Sequence, residues 1–73
     1  MSRVIKCKVR FNASRESLEK FGEGAYLVYL PFGEDAESHK VLESLLSKKL
    51  GVVPTRIEFA GIDANKNWVF ELL

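Results

Sequence analysis

Two side chains of this sequence, those of Cys7 and His39, are of the types that form a catalytic nucleophile and its general base. Cys7 lies between Ile5 and Val9 in an alternating apolar–polar segment, so we expect it to face a hydrophobic core. Buried cysteines are usually unreactive, and no third group is evident that would orient His39. We therefore interpret both residues as structural and expect no enzymatic activity.

A cluster of acidic residues, Glu34, Asp35 and Glu37, offers carboxylates of the kind that divalent cations prefer. Their spacing matches no loop of metal ligands, and negative charge here also stabilises the beginning of a helix. Gly22 and Gly24 flank an acidic residue, which argues against a phosphate-binding loop. The sequence therefore predicts no metal ion and no cofactor.

The most promising chemistry is a row of cations along the first predicted strand. Lys6, Lys8 and Arg10 occupy alternate positions, so their side chains project from one face. The alternation in the other strands predicts that Tyr29 and Arg56 project from that same face. Cations around an aromatic ring suit single-stranded nucleic acid, because phosphates pair with the cations and bases stack on the ring. These five residues form the candidate binding site.

The same surface has two other interpretations. Leu27, predicted beside Tyr29, would suit contact with a protein partner or with a second copy of the chain. The row is also typical of a solvated strand face whose lysines discourage aggregation. We therefore expect a weak RNA-binding or single-stranded-DNA-binding module, with a protein-interaction or homodimerisation module as the alternative.

Hydrophobic periodicity predicts the elements that position these residues. Residues 4–11 alternate in the pattern of a strand with one buried face. Residues 35–50 have an apolar stripe at helical spacing, in which Leu45 and Leu46 are expected in the core. Three further strands are predicted, at residues 25–30, 55–60 and 68–73.

Two connecting segments complete this order. Residues 12–24 are mostly polar, and Ser14 is expected to cap a single helical turn that carries Leu18 and Phe21. Residues 61–67 are expected to join the last two strands as an antiparallel hairpin, with Trp68 facing inward. The order β-β-α-β-β predicts a two-layer α+β fold, a four-stranded sheet with one main helix on one face.

Length and composition restrict the class of protein. The 73 residues are enough for one domain, and 47% hydrophobic with 29% charged residues is typical of a folded globule. A net charge of +1 argues neither for nor against nucleic acid. A single cysteine, no apolar run of membrane-spanning length and no signal peptide lead us to expect a cytoplasmic protein without a membrane partner.

Four segments of the sequence have a residue pattern that matches a known protein family, and the similarity extends over nearly the whole chain. They are Val9 to Ser14, Leu27 to Pro31, Leu42 to Val52, and Ile57 to Gly61. This pattern resembles the YggU-like family, also called domain of unknown function 167. The resemblance implies a mixed sheet in which the first and fourth predicted strands are central neighbours. It implies no activity, because the family has no settled one.

The chain departs from that family at its distinctive polar positions. Members typically carry Gly-Lys-Ala-Asn at the helix start and a turn of the form Gly-x-x-Ser-Arg-x-Lys. In the turn, only Gly61 is retained. The other residues at these positions are Asp35, Ala36, Glu37, Ser38, Ala64, Asn65 and Asn67.

Overall fold

A computed structural model describes residues 3–73, which form one α-helix on one face of a five-stranded sheet. The strands are β1 (Arg3–Arg10), β2 (Ser17–Gly22), β3 (Ala25–Tyr29), β4 (Ile57–Ile62) and β5 (Trp68–Leu72). The helix α1 (Ser38–Leu50) follows β3, and a short 3₁₀ helix (Pro54–Arg56) precedes β4. The predicted α+β class is confirmed, with one strand more than the sequence predicted.

The strands lie in the order β2-β3-β1-β5-β4, and their pairing is mixed. β1 runs parallel to β3 and antiparallel to β5, so β1 and β5 are neighbours at the centre of the sheet. The residues of β1 alternate between the two faces of the sheet. Ile5 and Cys7 are fully buried on one face, as expected for a central strand, while Lys6 and Lys8 are exposed on the other.

The segment that was predicted as a helical turn is instead the edge strand β2. Its backbone pairs antiparallel with β3, and Leu18 lies opposite Val28. The predicted helical turn was wrong because β3 offers this polar segment a complete set of backbone partners on one side. Phe21, which a helical turn would have buried, sits at an irregularity in the pairing and is 62% exposed.

Helix α1 covers the inner face of the sheet. Leu42 and Leu46 are fully buried, and they join a core that includes Ile5 and Phe70. Leu45, which was also expected in the core, is only half-buried at the side of the helix. The apolar stripe is thus wider than the surface that the sheet can cover.

The helix begins three residues later than predicted. A carboxylate oxygen of Asp35 accepts the N–H of Glu37 at 2.8 Å, and the hydroxyl of Ser38 accepts the N–H of Asp35 at 2.9 Å. These bonds hold the acidic segment in a turn before the first helical residue. At the other end Gly51 adopts a left-handed φ of 70° and its N–H donates to the carbonyl of Ser47.

Strands β4 and β5 form the predicted antiparallel hairpin, with β4 displaced by two residues from its predicted position. Trp68 is buried, as expected, and its ring lies 5.4 Å from that of Phe59. Phe59 also contacts Phe70 at 5.3 Å, so the aromatic cluster anchors the edge strand to the core. Within residues 3–73, no helix has the length and apolar character needed to cross a membrane.

Candidate functional site

The face of the sheet opposite α1, here called the outer face, carries the predicted row of cations. Arg10 lies directly opposite Tyr29 and Lys8 directly opposite Leu27 in the parallel pair of β1 and β3. Opposed residues of neighbouring strands share a face. Tyr29 and Leu27 therefore project from the same side as the cations, as the alternation predicted.

A small hollow opens on this face beside Tyr29. Its volume is about 200 Å³, and it is lined by Ala13, Ser14, Arg15, Ser17, Glu19 and Tyr29. Ser17 is the direct cross-strand partner of Tyr29, and Glu19 is the next outward residue along β2. Typical sites for small molecules are larger, at about 300–1,000 Å³, so this hollow suits one small group rather than a whole ligand.

Lys6 contributes less to the cationic row than its position suggests. Its Nζ lies 3.5 Å from a carboxylate oxygen of Asp63, in the turn between β4 and β5. Asp63 also accepts hydrogen bonds from Asn67 and Asn65. The backbone bond from Asn67, with smaller effects from the other donors and from Lys6, holds the pKa of Asp63 below its ordinary value.

Acidic side chains also lie on the outer face. Glu19 stands opposite Leu27 on β2, and Glu58 and Glu71 oppose each other on β4 and β5. The outer face is therefore not uniformly positive, and cations outnumber carboxylates at the corner where Lys8, Arg10 and Arg15 lie near Tyr29, with Glu19 as the one acidic neighbour named there. We call this region the basic corner, and it consists of Lys8, Arg10, Arg15 and Tyr29.

Arg56 lies apart from the other candidate residues. It belongs to the 3₁₀ helix, and its Nε donates a hydrogen bond of 3.0 Å to the carbonyl of Leu73. It shares a different hollow with Arg3, at the end of the sheet where β1 begins. Arg10 is seven residues further along β1, a separation of roughly 23 Å at 3.3 Å per residue. Arg56 thus cannot act on the same small ligand as Tyr29.

The residues considered for catalysis are not brought together. Cys7 is fully buried at the centre of the sheet, and burial raises its pKa to about 12. His39 stacks on Phe59 of the edge strand, with a ring separation of 5.5 Å. Glu34, Asp35 and Glu37 precede α1, and residues 3–73 contain no group of three or more His, Cys, Asp or Glu side chains placed to hold a metal ion.

Sequence reasoning missed three residues that shape the outer face, namely Arg15, Glu19 and Asp63. Arg15 precedes β2 and Glu19 lies within it, so neither could be placed while that strand was unrecognised. The signal for β2 was the pair Gly22 and Gly24, which is typical of a tight hairpin turn. Asp63 was recognised as a turn residue, but its reach to Lys6 depends on the three-dimensional path of the turn.

Comparison of the chain with models of protein families, with characterised proteins and with solved structures gave no match. The resemblance to the YggU-like family therefore stays a prediction.

Proposed function

We propose that this protein is a small non-enzymatic module that binds single-stranded nucleic acid, RNA or DNA, at the basic corner. One observation carries the proposal: Arg10, Tyr29 and Ser17 lie in one row across three strands, next to the hollow that Arg15 lines. A base can stack on the ring of Tyr29 while its flanking phosphates pair with the two guanidinium groups. A cytoplasmic location is part of the proposal, since the one cysteine is a buried free thiol.

The charges of the corner set the expected strength of binding. Lys8, Arg10 and Arg15 can neutralise about three phosphates, so the logarithm of the affinity should fall with the logarithm of salt concentration with a slope of about −2. Glu19 lowers the positive potential at the corner itself, and the pairing of Lys6 with Asp63 lowers that of the rest of the face. Affinity is therefore expected to be weak and strongly dependent on salt.

An NMR titration with short oligonucleotides in low salt tests the proposal. Amide shifts are expected at Arg10, Arg15, Ser17 and Tyr29, and Tyr29→Ala should weaken binding by ~1–3 kcal/mol because a stacked base is lost. The absence of shifts at any oligonucleotide concentration would overturn the proposal.

Charge variants provide the matched control. Lys8→Glu should greatly weaken binding, because Lys8 is exposed on the outer face. Lys49→Glu makes the same change of charge at an exposed position in the last turn of α1, on the other side of the sheet. An equal loss of affinity in both variants would indicate that nucleic acid is attracted to positive charge anywhere on the protein, and that no specific site lies at the corner.

A second candidate function is contact with a protein, including a second copy of the chain. It is favoured by apolar side chains in the middle of the outer face, where Val4 is 53% exposed and Leu27 and Val69 project from the neighbouring strands. This function predicts a mass that rises with concentration in sedimentation, or a stable partner. Leu27→Ser should then reduce association more than Lys8→Glu does.

A further inference from the structure

The hollow beside Tyr29 has charged groups of opposite sign on its walls. Arg15 and Glu19 both line it, and neither belongs to the ion pairs formed among the described residues. Both side chains are exposed and neither charge is neutralised by a neighbour in the described part of the chain, so both charged groups are available to a ligand in the hollow. The ligand that fits is flat, because Tyr29 forms the third wall.

The position of Glu19 relative to Tyr29 determines which part of a stacked base it meets. Ser17 opposes Tyr29 directly, and Glu19 is the diagonal neighbour on the same face of β2. Diagonal neighbours in an antiparallel pair are about 7–8 Å apart, which is within reach of a long side chain. The carboxylate of Glu19 can therefore reach the edge of a base that stacks on Tyr29.

The chemistry of the two charged groups distinguishes among the four bases. An ionised carboxylate only accepts hydrogen bonds and can accept two in parallel, whereas a guanidinium only donates. Guanine presents two adjacent donors, N1–H and the exocyclic N2 amino group, and on another edge the acceptors O6 and N7, which arginine binds in pairs. Adenine and cytosine place an acceptor next to their amino group, and uracil and thymine place carbonyl oxygens on both sides of their single N–H.

We infer that the hollow at the basic corner prefers guanine, with Glu19 as the specificity-determining residue and Arg15 as its partner on the neighbouring O6 and N7 edge of the base. This inference rests on the proposed function, because it names the base that the nucleic-acid site reads. Both side chains are exposed, so the expected preference is modest.

The test compares short oligouridine strands that differ only at one central base. A central guanine should bind about fivefold more tightly than uridine, which corresponds to about 1 kcal/mol, the low end for a bidentate contact. In Glu19→Gln the ratio should fall to about one, because the amide replaces one acceptor with a donor. The affinity of the all-uridine strand should rise slightly, because a negative charge near the phosphates is removed.

Glu58→Gln is the matched control, since Glu58 is an exposed carboxylate of the same face on the opposite edge strand. That variant should retain the full preference for guanine. An equal affinity for all four bases, or a guanine preference that persists in Glu19→Gln, would overturn the inference. If all strands bind with equal affinity and Tyr29→Ala abolishes that binding, the proposed nucleic-acid function stands and only the guanine preference fails. If no strand binds, both proposals fail.

Discussion

The reactivity of the Cys7 thiol is determined by its burial in the core. It lies at the centre of the sheet and is fully buried, and burial raises its pKa to about 12 because a thiolate is poorly solvated there. The sequence predicted this burial from the alternation of β1, and the structure confirms it. A buried thiol with a raised pKa is neither a nucleophile nor a metal ligand at neutral pH.

A thiol reagent such as DTNB is therefore expected to react slowly with Cys7 in the native protein. The reaction should accelerate greatly in denaturant, where the side chain is solvated and its pKa returns towards the ordinary value. Absorbance of the released thiolate measures both rates. Rapid labelling of the native protein would contradict the buried position and revive the catalytic interpretation.

Asp63 gives the fold a dependence on pH. Its pKa is lowered in the folded protein, chiefly by the backbone N–H of Asn67, so the charged form stabilises the fold above the ordinary pKa of 3.8. That contribution is lost as the pH falls through the lowered value. The difference in unfolding free energy between the parent and Asp63→Asn, measured by urea denaturation, should therefore shrink in acid. A difference that is the same at neutral and acidic pH would contradict this role.

The placement of single residues was predictable where strand alternation decides it. Leu27 and Tyr29 project outward because Tyr26 and Val28 are buried on the opposite side of β3. The pairing of Lys6 with Asp63 was not predictable in this way. It joins residues far apart in sequence through the path of a turn, and no periodic pattern encodes that path.

Among the elements, β2 shows why an edge strand escapes prediction. Among residues 3–73 it pairs with β3 alone, and its most buried residues, such as Leu18, are only half-buried. Alternation of apolar and polar side chains is weak when so little is buried, so the periodic signal disappears. The central strands and the helix bury far more, and the sequence predicted their type and approximate limits.

The turn between β2 and β3 depends on one glycine. Gly24 has a left-handed φ of 65°, and an added Cβ would lie 3.0 Å from the carbonyl oxygen of Val4. Gly24→Ala should therefore destabilise the protein by ~1–3 kcal/mol. Gly22→Ala is the control, because its added Cβ meets only Ala25 at 3.6 Å. Urea denaturation of both variants measures the difference, and equal stability would show that the hairpin tolerates the strain.

The apolar stripe of α1 allows a comparison between two leucines that differ only in their burial. Leu46 is fully buried and Leu45 is half-buried, although both have the same side chain. Leu46→Ala should cost ~2–5 kcal/mol, which is a large fraction of the stability of a small domain. Leu45→Ala should cost clearly less, because fewer contacts are lost. Equal losses by urea denaturation would mean that Leu45 is covered in solution, for example by a partner.

At the scale of the whole molecule, the fold is built on one sheet of five strands. The backbone amides at its centre and at its edges are expected to differ in their protection from hydrogen exchange. β1, β3 and β5 each have neighbours on both sides, whereas β2 and β4 each have one neighbour in the described structure. Amide hydrogen exchange is expected to be slowest in these three inner strands and faster in the two edge strands. NMR measures these rates strand by strand. Protection of β2 equal to that of β1 would indicate that something pairs with its outer edge.

The central position of β5 has a consequence during synthesis. Synthesis of β1 ends about 60 residues before synthesis of β5 ends, and at ~5–20 residues per second this delay lasts roughly 3–12 s. Throughout that interval the side of β1 that will bind β5 is an open edge, which another chain could join. Lys6, Lys8 and Arg10 are then the charges that hinder such pairing. The same cations that line the outer face thus also hinder aggregation of the growing chain in the interval before β5 is available.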